Sequence, residues 1–348
     1  MNFIHAIPGV NGPPGIAALP TSTTKAMRMT RRRPRAAVGL PIIEAMYPAL
    51  RIPRSEFVPV RHLRYHVRQW GTPSPGRAPL VLLHGWMDVA ASWQFVVDAM
   101  ADDRFIVAPD WRGFGQTDGG PVDNYWLPDY LADLDWLLDR VAGNTPIDLV
   151  GHSMGGNIAM QYAGVRPQRI RRLVNLEGFG MPARQADEAP ARYGQWIDQL
   201  KRLHRGELAL QGYADVGGVA RRLMKTNPRL SRDKAEWLAG HWAAARTLAD
   251  GSTQWEIRGD AAHKVVNANI YRVDEALALY AAITAPVLAV EASDDSLARW
   301  AGRYTLADYH ERLKVVPDVR TAVVQEAGHM LHHDQPAEVA RQIEAFFA

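Results

Sequence analysis

The chain has 348 residues, 47% of them apolar, and a formal net charge of +3. This length and composition suit one large globular domain, or a core domain with a smaller one inserted into it. The sequence contains no cysteine, which excludes disulfides, thiolate metal sites and a cysteine nucleophile. No apolar run reaches the roughly 18 residues that a membrane span needs.

Basic charge is concentrated at the N-terminus. Residues 1–43 hold six basic side chains and no acidic one, so the rest of the chain carries a net charge of −3. Residues 1–54 are also rich in proline and glycine, and we predict a poorly ordered basic extension there. A nucleic-acid role would depend on this extension alone, so no nucleic-acid partner is expected. The expected location is cytoplasmic, although an arginine-rich, acid-free start also fits a targeting segment. Nothing in the sequence predicts an oligomeric state.

The first regular pattern begins at Phe57. Leu63, Tyr65 and Val67 alternate with polar residues, which is the period of a half-buried strand. Six short, mainly apolar runs follow, as expected for strands that are covered on both faces. These runs lie at 80–83, 105–108, 147–150, 173–176, 287–290 and 321–324.

Helical patterns separate several of these runs. Residues 130–141 and 336–347 each place apolar side chains on one helical face,. Strands that alternate with helices predict an α/β fold with a mostly parallel sheet and helices on both faces. Ligand sites in such sheets lie at the carboxyl ends of the strands.

Residues 181–283 interrupt the alternation. They contain no convincing strand, whereas aromatic and apolar residues recur at helical spacing, for example from Trp237 to Ala245,. We therefore predict a helical lid over 181–283, inserted between two parts of the core at 55–180 and 284–348.

One strand-to-helix turn has the pattern of a nucleophile elbow. Gly151-His152-Ser153-Met154-Gly155 follows an apolar run and precedes a helical pattern. This context exposes a serine hydroxyl above the sheet and places a helix N-terminus behind it. We predict that Ser153 is the nucleophile and that the Met154 N–H faces a developing oxyanion.

A second turn supplies the other expected oxyanion donor. His84-Gly85-Trp86 ends the run at 80–83, and Gly85 lets the backbone approach a substrate closely. The Trp86 N–H would be the second donor, and two such donors are worth several kcal/mol in a transition state. The Trp86 side chain is a candidate for the substrate pocket.

The general base should follow a later strand. Gly328-His329 comes after the run ending at Val324 and before the last helix, so His329 is the predicted base. His332 and His333 compete with it, but their place near a helix start favours solvated or capping roles.

Three carboxylates follow strands that precede His329. Asp294 and Asp295 come after the run at 287–290, and Glu177 comes after the run at 173–176. Each could orient the imidazole and stabilise the imidazolium. Glu177 is followed by Gly178-Phe179-Gly180, an unusual place for an unpaired carboxylate, since such a group is costly to bury.

Together these segments resemble the α/β-hydrolase superfamily, and in particular its serine-nucleophile, esterase-type members. The resemblance covers about residues 57–348 and includes His84-Gly85, the elbow and Gly328-His329. It also includes the segment 110–115, which is similar to the D-x-R-G-x-G loop of the family. Residues 83–88 are similar to those of serine-hydrolase-like members. A serine at the elbow, where haloalkane dehalogenases and epoxide hydrolases carry an aspartate, argues against their alkyl-transfer chemistry.

The resemblance favours Asp295 as the acid, with Glu177 and Asp294 as alternatives. The family usually has a glycine three residues before its acid, and this chain has Ala292 there. The implied reaction is acyl transfer on a small, hydrophobic ester, and it requires neither a metal nor an organic cofactor. Trp196 and Trp242 of the insertion are candidate substrate contacts. The alternatives are amidase or aminopeptidase action, carbon–carbon bond hydrolysis, and a non-catalytic small-molecule binding module.

Overall fold

A computed structural model describes residues 46–348, and two β-sheets organise them. The larger sheet has eight strands and the smaller has three. In chain order the strands are β1 (Arg54–Val60), β2 (Leu63–Trp70), β3 (Leu80–Leu83), β4 (Ile106–Pro109), β5 (Ile147–His152), β6 (Ile170–Leu176), β7 (Gly212–Tyr213), β8 (Ala243–Thr247), β9 (Thr253–Ile257), β10 (Val287–Ala292) and β11 (Val319–Val324).

The large sheet runs in the order β1-β2-β4-β3-β5-β6-β10-β11. β2 pairs antiparallel with both of its neighbours. From β4 through β11 the pairs are parallel. The predicted α/β fold is confirmed, and each of the six apolar runs lies in a strand or overlaps one. The carboxyl ends of β3, β5, β6, β10 and β11 consequently meet at one edge.

Ten α-helices surround the sheets. They are α1 (Gln94–Ala99), α2 (Leu127–Ala142), α3 (Met154–Val165), α4 (Ala189–His204), α5 (Val216–Thr226), α6 (Arg232–Trp242), α7 (Val273–Ala281), α8 (Leu306–Leu313), α9 (Leu331–Asp334) and α10 (Pro336–Phe347) among the residues described.

Both faces of the large sheet are covered by apolar side chains. Leu83 and Leu149 belong to the cluster on the face that packs against α2 and α3. Leu82 and Val150 belong to the cluster on the other face, with α1 and α10. Successive strand residues thus enter opposite clusters, as the pleat requires, and this explains why the sequence shows continuous apolar runs.

The chain between β6 and β10 carries α4 to α7 and also the small sheet, in the order β7-β9-β8. The expectation of a strandless segment is therefore wrong. α6 ends at Trp242, and Ala243 begins a strand that pairs with Ile257. The alanines at 243–245 have high helix propensity, so the sequence extends the helix to Ala245, but pairing with β9 overrides that preference.

Much of the predicted N-terminal extension lies outside the described residues. Its described end, residues 46–54, contacts the core. The Tyr47 hydroxyl donates to the Asp98 carboxylate (2.9 Å), and the Arg51 N–H donates to the same carboxylate (2.8 Å). This end is attached to α1 and is not a free tail. Over residues 46–348, no helix combines the length and apolar character that crossing a membrane demands.

Candidate active site

Ser153 lies between β5 and α3 in a conformation that few non-glycine residues adopt. Its φ and ψ are 53° and −113°, and such strain is a frequent mark of functional positions. The turn can form because glycines stand two positions before and two positions after Ser153. A Cβ at Gly151 would lie 2.4 Å from the Gly155 carbonyl oxygen, and one at Gly155 would lie 2.3 Å from the Leu83 carbonyl oxygen.

A hydrogen-bonded chain of three side chains runs through this turn. His329 Nε2 lies 2.9 Å from Ser153 Oγ. On the other side of the ring, His329 Nδ1 lies 3.1 Å from Glu177 Oε2. Ser153 is 6% exposed, and the His329 side chain is 26% exposed. The arrangement is that of a nucleophile, a base and an orienting carboxylate.

Glu177 is held firmly at the end of β6. Its backbone N–H donates to the Val290 carbonyl (3.0 Å), and its Oε1 accepts the Ala292 N–H (2.7 Å). Its φ of 58° lies in the left-handed region, where a residue other than glycine is strained. The end of β10 therefore supports the carboxylate on β6 through Ala292.

The preference for Asp295 as the partner of His329 does not agree with this geometry. Asp295 is exposed, and its Oδ1 accepts the Leu297 N–H (2.9 Å) at the turn after β10. Asp294 is also exposed and forms an ion pair with Arg229 of the insertion (2.7 Å). Short aspartates on this turn bind local N–H groups or the insertion, whereas the glutamate on the neighbouring strand end reaches the imidazole.

Burial shifts the pKa values of both groups in the pair. It raises the pKa of Glu177 to about 7. It also lowers the pKa of His329 to about 3, and the Arg299 guanidinium adds to that decrease. Because the groups share a hydrogen bond, they titrate as a pair. Below about pH 7 the pair holds one proton more than it does above that pH. When this proton is lost, the remaining ring proton can stay on Nδ1 beside Glu177, and Nε2 can accept a proton.

The predicted oxyanion segment lies against the elbow. A Cβ at Gly85 would be 3.3 Å from the Ser153 Cβ, so the absence of a side chain permits this close approach. Met154 is the first residue of α3, and its N–H is one of the four that a helix leaves without an intrahelical acceptor. Trp86 is partly buried. Both predicted donors therefore belong to backbone segments beside Ser153.

The loop after β4 contacts the predicted oxyanion segment, since the Trp111 N–H donates to His84 Nε2 (2.9 Å). Asp110 is buried, and its Oδ1 accepts the Ala90 N–H (2.7 Å). Gly115 has a φ of 57°, and a Cβ there would lie 2.1 Å from the Asp110 carboxyl carbon. Arg112 donates to both oxygens of buried Asp133 (2.6 and 2.8 Å). The hydrogen bonds of Asp110 and Arg112 therefore give this loop a structural role.

The two histidines that compete with His329 are not solvated. His332 and His333 are 0% and 4% exposed, because α9 turns back under the sheet edge and buries them. Burial of His332 also places it beside His152, with ring centroids 4.2 Å apart. His152 Nε2 donates to the His329 carbonyl (2.7 Å). The sequence did not single out His152, although its position next to Ser153 gave a reason to examine it.

The three candidate tryptophans have different surroundings. Trp242 donates from Nε1 to the Met87 carbonyl (2.8 Å), so it fastens the insertion to the loop after β3. Trp86 and Trp196 each bury an Nε1–H that has no acceptor among residues 46–348. The Nε1–H of Trp86 and that of Trp196 are thus available to donate to a ligand, whereas the Nε1–H of Trp242 already donates to the Met87 carbonyl.

Known proteins resemble this chain over most of its length. It is 27% identical over 300 residues to a "serine hydrolase-like protein" of Danio rerio, covering 84% of this chain and 88% of the relative. It is 33% identical over 119 residues to the 2-hydroxy-6-oxo-2,4-heptadienoate hydrolase of Pseudomonas putida, covering 33% of this chain and 43% of that enzyme. Among solved structures, the thioesterase domain from the curacin biosynthetic pathway superposes with a TM-score of 0.70 at 23% identity, covering 84% of this chain and 99% of the domain. That likeness supports the fold.

The family described as alpha/beta hydrolase fold matches residues 78–336. This range includes the elbow, the end of β6 and the loop that carries His329. The chain therefore belongs to the α/β-hydrolase fold family.

Proposed function

We propose that this protein is a serine hydrolase that cleaves an ester-like carbonyl through an acyl-enzyme intermediate. The observation that carries the proposal is the continuous chain from Ser153 through His329 to Glu177, with separations of 2.9 and 3.1 Å. A nucleophile, a base and an orienting acid at hydrogen-bond distance are the parts that acyl transfer requires.

In the first step His329 Nε2 takes the Ser153 proton while Oγ attacks the carbonyl carbon. Glu177 keeps the Nδ1 proton in place and stabilises the imidazolium that forms. The Trp86 and Met154 N–H groups would hold the oxyanion. His329 then protonates the leaving alcohol, and water attacks the acyl-enzyme with the same base. The strained backbone at Ser153 fixes the nucleophile in advance, so little reorganisation is needed.

The substrate is proposed to be small and hydrophobic. The insertion lies directly after Glu177 in the chain, and one of its helices carries Trp196. Trp196 and Trp86 offer apolar ring surface together with a free indole donor, which suits an acyl or aryl group with one polar atom. Trp242 would act instead as a fastening for the insertion, which would thus cover the strand ends as a lid.

Carbon–carbon bond hydrolysis is the second candidate. The Pseudomonas putida relative acts, by its name, on a 2-hydroxy-6-oxo dienoate, and the similarity of 33% covers only 43% of that enzyme. The same serine and base could attack a ketone carbonyl in place of an ester. Parallel assays with p-nitrophenyl esters, anilides and a vinylogous diketone would rank ester, amide and carbon–carbon cleavage.

A fluorophosphonate probe tests the proposal directly. It should label one site on the full chain, and peptide mapping should place the label on Ser153. Ser153→Ala should abolish the labelling, whereas Ser74→Ala, at an exposed turn on the opposite edge of the sheet, should not change it. Absence of labelling, together with binding of small apolar molecules, would favour a non-catalytic binding module.

A further inference from the structure

Next to the chain Ser153-His329-Glu177 lies a buried group of three side chains, one of which donates to the His329 carbonyl. Asp88, His152 and His332 are 5%, 1% and 0% exposed. One ligand atom from each lies within 4.8 Å of the others. Asp88 Oδ2 and His332 Nε2, for instance, are 3.6 Å apart. Two ligands of a tetrahedral Zn²⁺ at 2.0–2.1 Å are separated by about 3.4 Å.

Four polar atoms of this group lack hydrogen-bond partners. They are Asp88 Oδ2, His152 Nδ1 and both ring nitrogens of His332, assessed against all residues from 46 to 348. Buried polar atoms are nearly always paired, and an unpaired buried carboxylate oxygen is especially unfavourable. Because one ligand atom from each side chain lies within 4.8 Å of the others, a single cation that accepts their lone pairs could bind to all three side chains.

Two of the three side chains, His152 and Asp88, have the supporting hydrogen bonds that metal ligands usually have. His152 Nε2 carries the proton, because it donates to the His329 carbonyl (2.7 Å), and this leaves the Nδ1 lone pair free. Asp88 Oδ1 accepts the Ser92 hydroxyl, which orients the carboxylate. A ligating histidine typically donates its other N–H to a carbonyl, and a ligating carboxylate is typically hydrogen-bonded in turn.

We propose that Asp88, His152 and His332 form a structural site for a divalent transition-metal ion of the zinc type. Two imidazoles and one carboxylate are a donor set that Zn²⁺ accepts, with water as a fourth ligand. The ion gives the buried Asp88 carboxylate a positively charged partner.

The position of the site suggests what the ion does. Asp88 follows the oxyanion residue Trp86 by two positions, His152 precedes Ser153, and His332 follows His329 by three. Asp88 lies in the loop after β3, His152 is the last residue of β5, and His332 lies in α9. Each of these segments adjoins one part of the proposed catalytic apparatus, so a metal would hold the three segments together.

Because the ligands are buried, the ion is expected to enter during folding. The test uses the untagged full chain, unfolded in guanidinium with a chelator and refolded with or without one equivalent of ZnCl₂. The zinc-refolded protein should retain about one Zn²⁺ per chain after gel filtration, and its Tm should exceed that of the metal-free protein by several degrees. Asp88→Asn and His332→Gln should each reduce zinc affinity at least about 100-fold.

His204→Gln is the matched control, since His204 faces Asp123 on the surface (3.3 Å) and should bind no structural ion. Retention of less than about a tenth of an equivalent by the unaltered chain, with an unchanged Tm, would overturn the proposal and indicate that water occupies the site. Equal zinc retention in Asp88→Asn, His332→Gln and the unaltered chain would also overturn it. If those variants do not fold, the unaltered chain is refolded with Co²⁺ to test the site. The d–d absorption of the bound Co²⁺ should indicate nitrogen and oxygen ligands. Absence of that absorption would contradict the proposed site.

Discussion

The ends of β6 and β10 lie side by side in the sheet, and each carries a carboxylate near the active site. Glu177 at the end of β6 is buried, has a φ of 58° and contacts His329. Asp294 and Asp295 beyond β10 are exposed and bind Arg229 and a local N–H. Under the proposed assignment, burial and reach select the partner of His329, because a carboxylate removed from water interacts more strongly with the imidazole.

The largest loss of kcat is expected for a change at Ser153, the proposed nucleophile. A double variant then tests whether Glu177 acts through Ser153. Ser153→Ala should lower kcat for a p-nitrophenyl ester by about 10⁵-fold or more, because the triad acts as a unit. Adding Glu177→Gln to Ser153→Ala should then lower the residual rate by less than about threefold. A further large loss in the double variant would mean that Glu177 contributes independently of Ser153, for example through the fold.

The pH dependence should distinguish the two strand ends. Because burial raises the pKa of Glu177 to about 7, the pair holds a proton below that pH, and kcat/KM should rise as pH increases through about 7. In Glu177→Gln, His329 titrates alone with a pKa that burial and Arg299 lower, so the rise should move to lower pH. Asp295→Asn should move it slightly in the same direction, since the negative charge of Asp295 raises the pKa of Glu177. The check is a kcat/KM profile from pH 4 to 9; a rise at the same pH in all three proteins would contradict the pairing.

The insertion that follows β6 should control substrate choice to a smaller degree. Trp196→Ala should change the preference between acetyl and octanoyl esters by about tenfold, in line with the loss of one large apolar contact. Trp242→Phe removes the hydrogen bond to Met87 and replaces the indole with a smaller ring, so it should lower Tm by a few degrees and leave the substrate preference unchanged. Equal preferences in Trp196→Ala and the unaltered chain would remove this residue from the substrate pocket.

The smallest effect is expected at Asp294. Its ion pair with Arg229 is exposed on both sides, and such pairs contribute about 0–1 kcal/mol. Asp294→Asn should therefore change the free energy of unfolding by no more than about 1 kcal/mol and kcat by less than about twofold. Urea unfolding and ester turnover of the same preparation measure both; a loss of turnover would assign Asp294 a role that its exposure argues against.

The sheet could be predicted from sequence because a strand buried on both faces produces a continuous apolar run, as at 80–83 and 105–108. The elbow could be predicted because its tight turn requires glycine at Gly151 and Gly155, where a Cβ would clash with backbone. Both features depend on local chemistry that the sequence records directly.

The partner of His329 and the small sheet could not be predicted in the same way. Which carboxylate reaches the imidazole depends on how distant parts of the chain pack, since Glu177 precedes His329 by 152 positions, and the family resemblance favoured Asp295. The strand at Ala243–Thr247 forms because β9 pairs with it, although its alanines favour helix. Burial of His332 likewise depends on where α9 packs, which its position near a helix start does not reveal.

The most direct test of the account compares one amide variant from each strand end. Glu177→Gln and Asp295→Asn preserve shape and remove one charge each, and kcat for a p-nitrophenyl ester is measured at pH 8, where the pair is deprotonated. Glu177→Gln should lower kcat by three decades or more, since the equivalent change in a serine protease triad lowers it about 10⁴-fold, while Asp295→Asn should remain within about twofold of the unaltered chain. A loss of three decades in Asp295→Asn, with Glu177→Gln near normal, would contradict the assignment of Glu177.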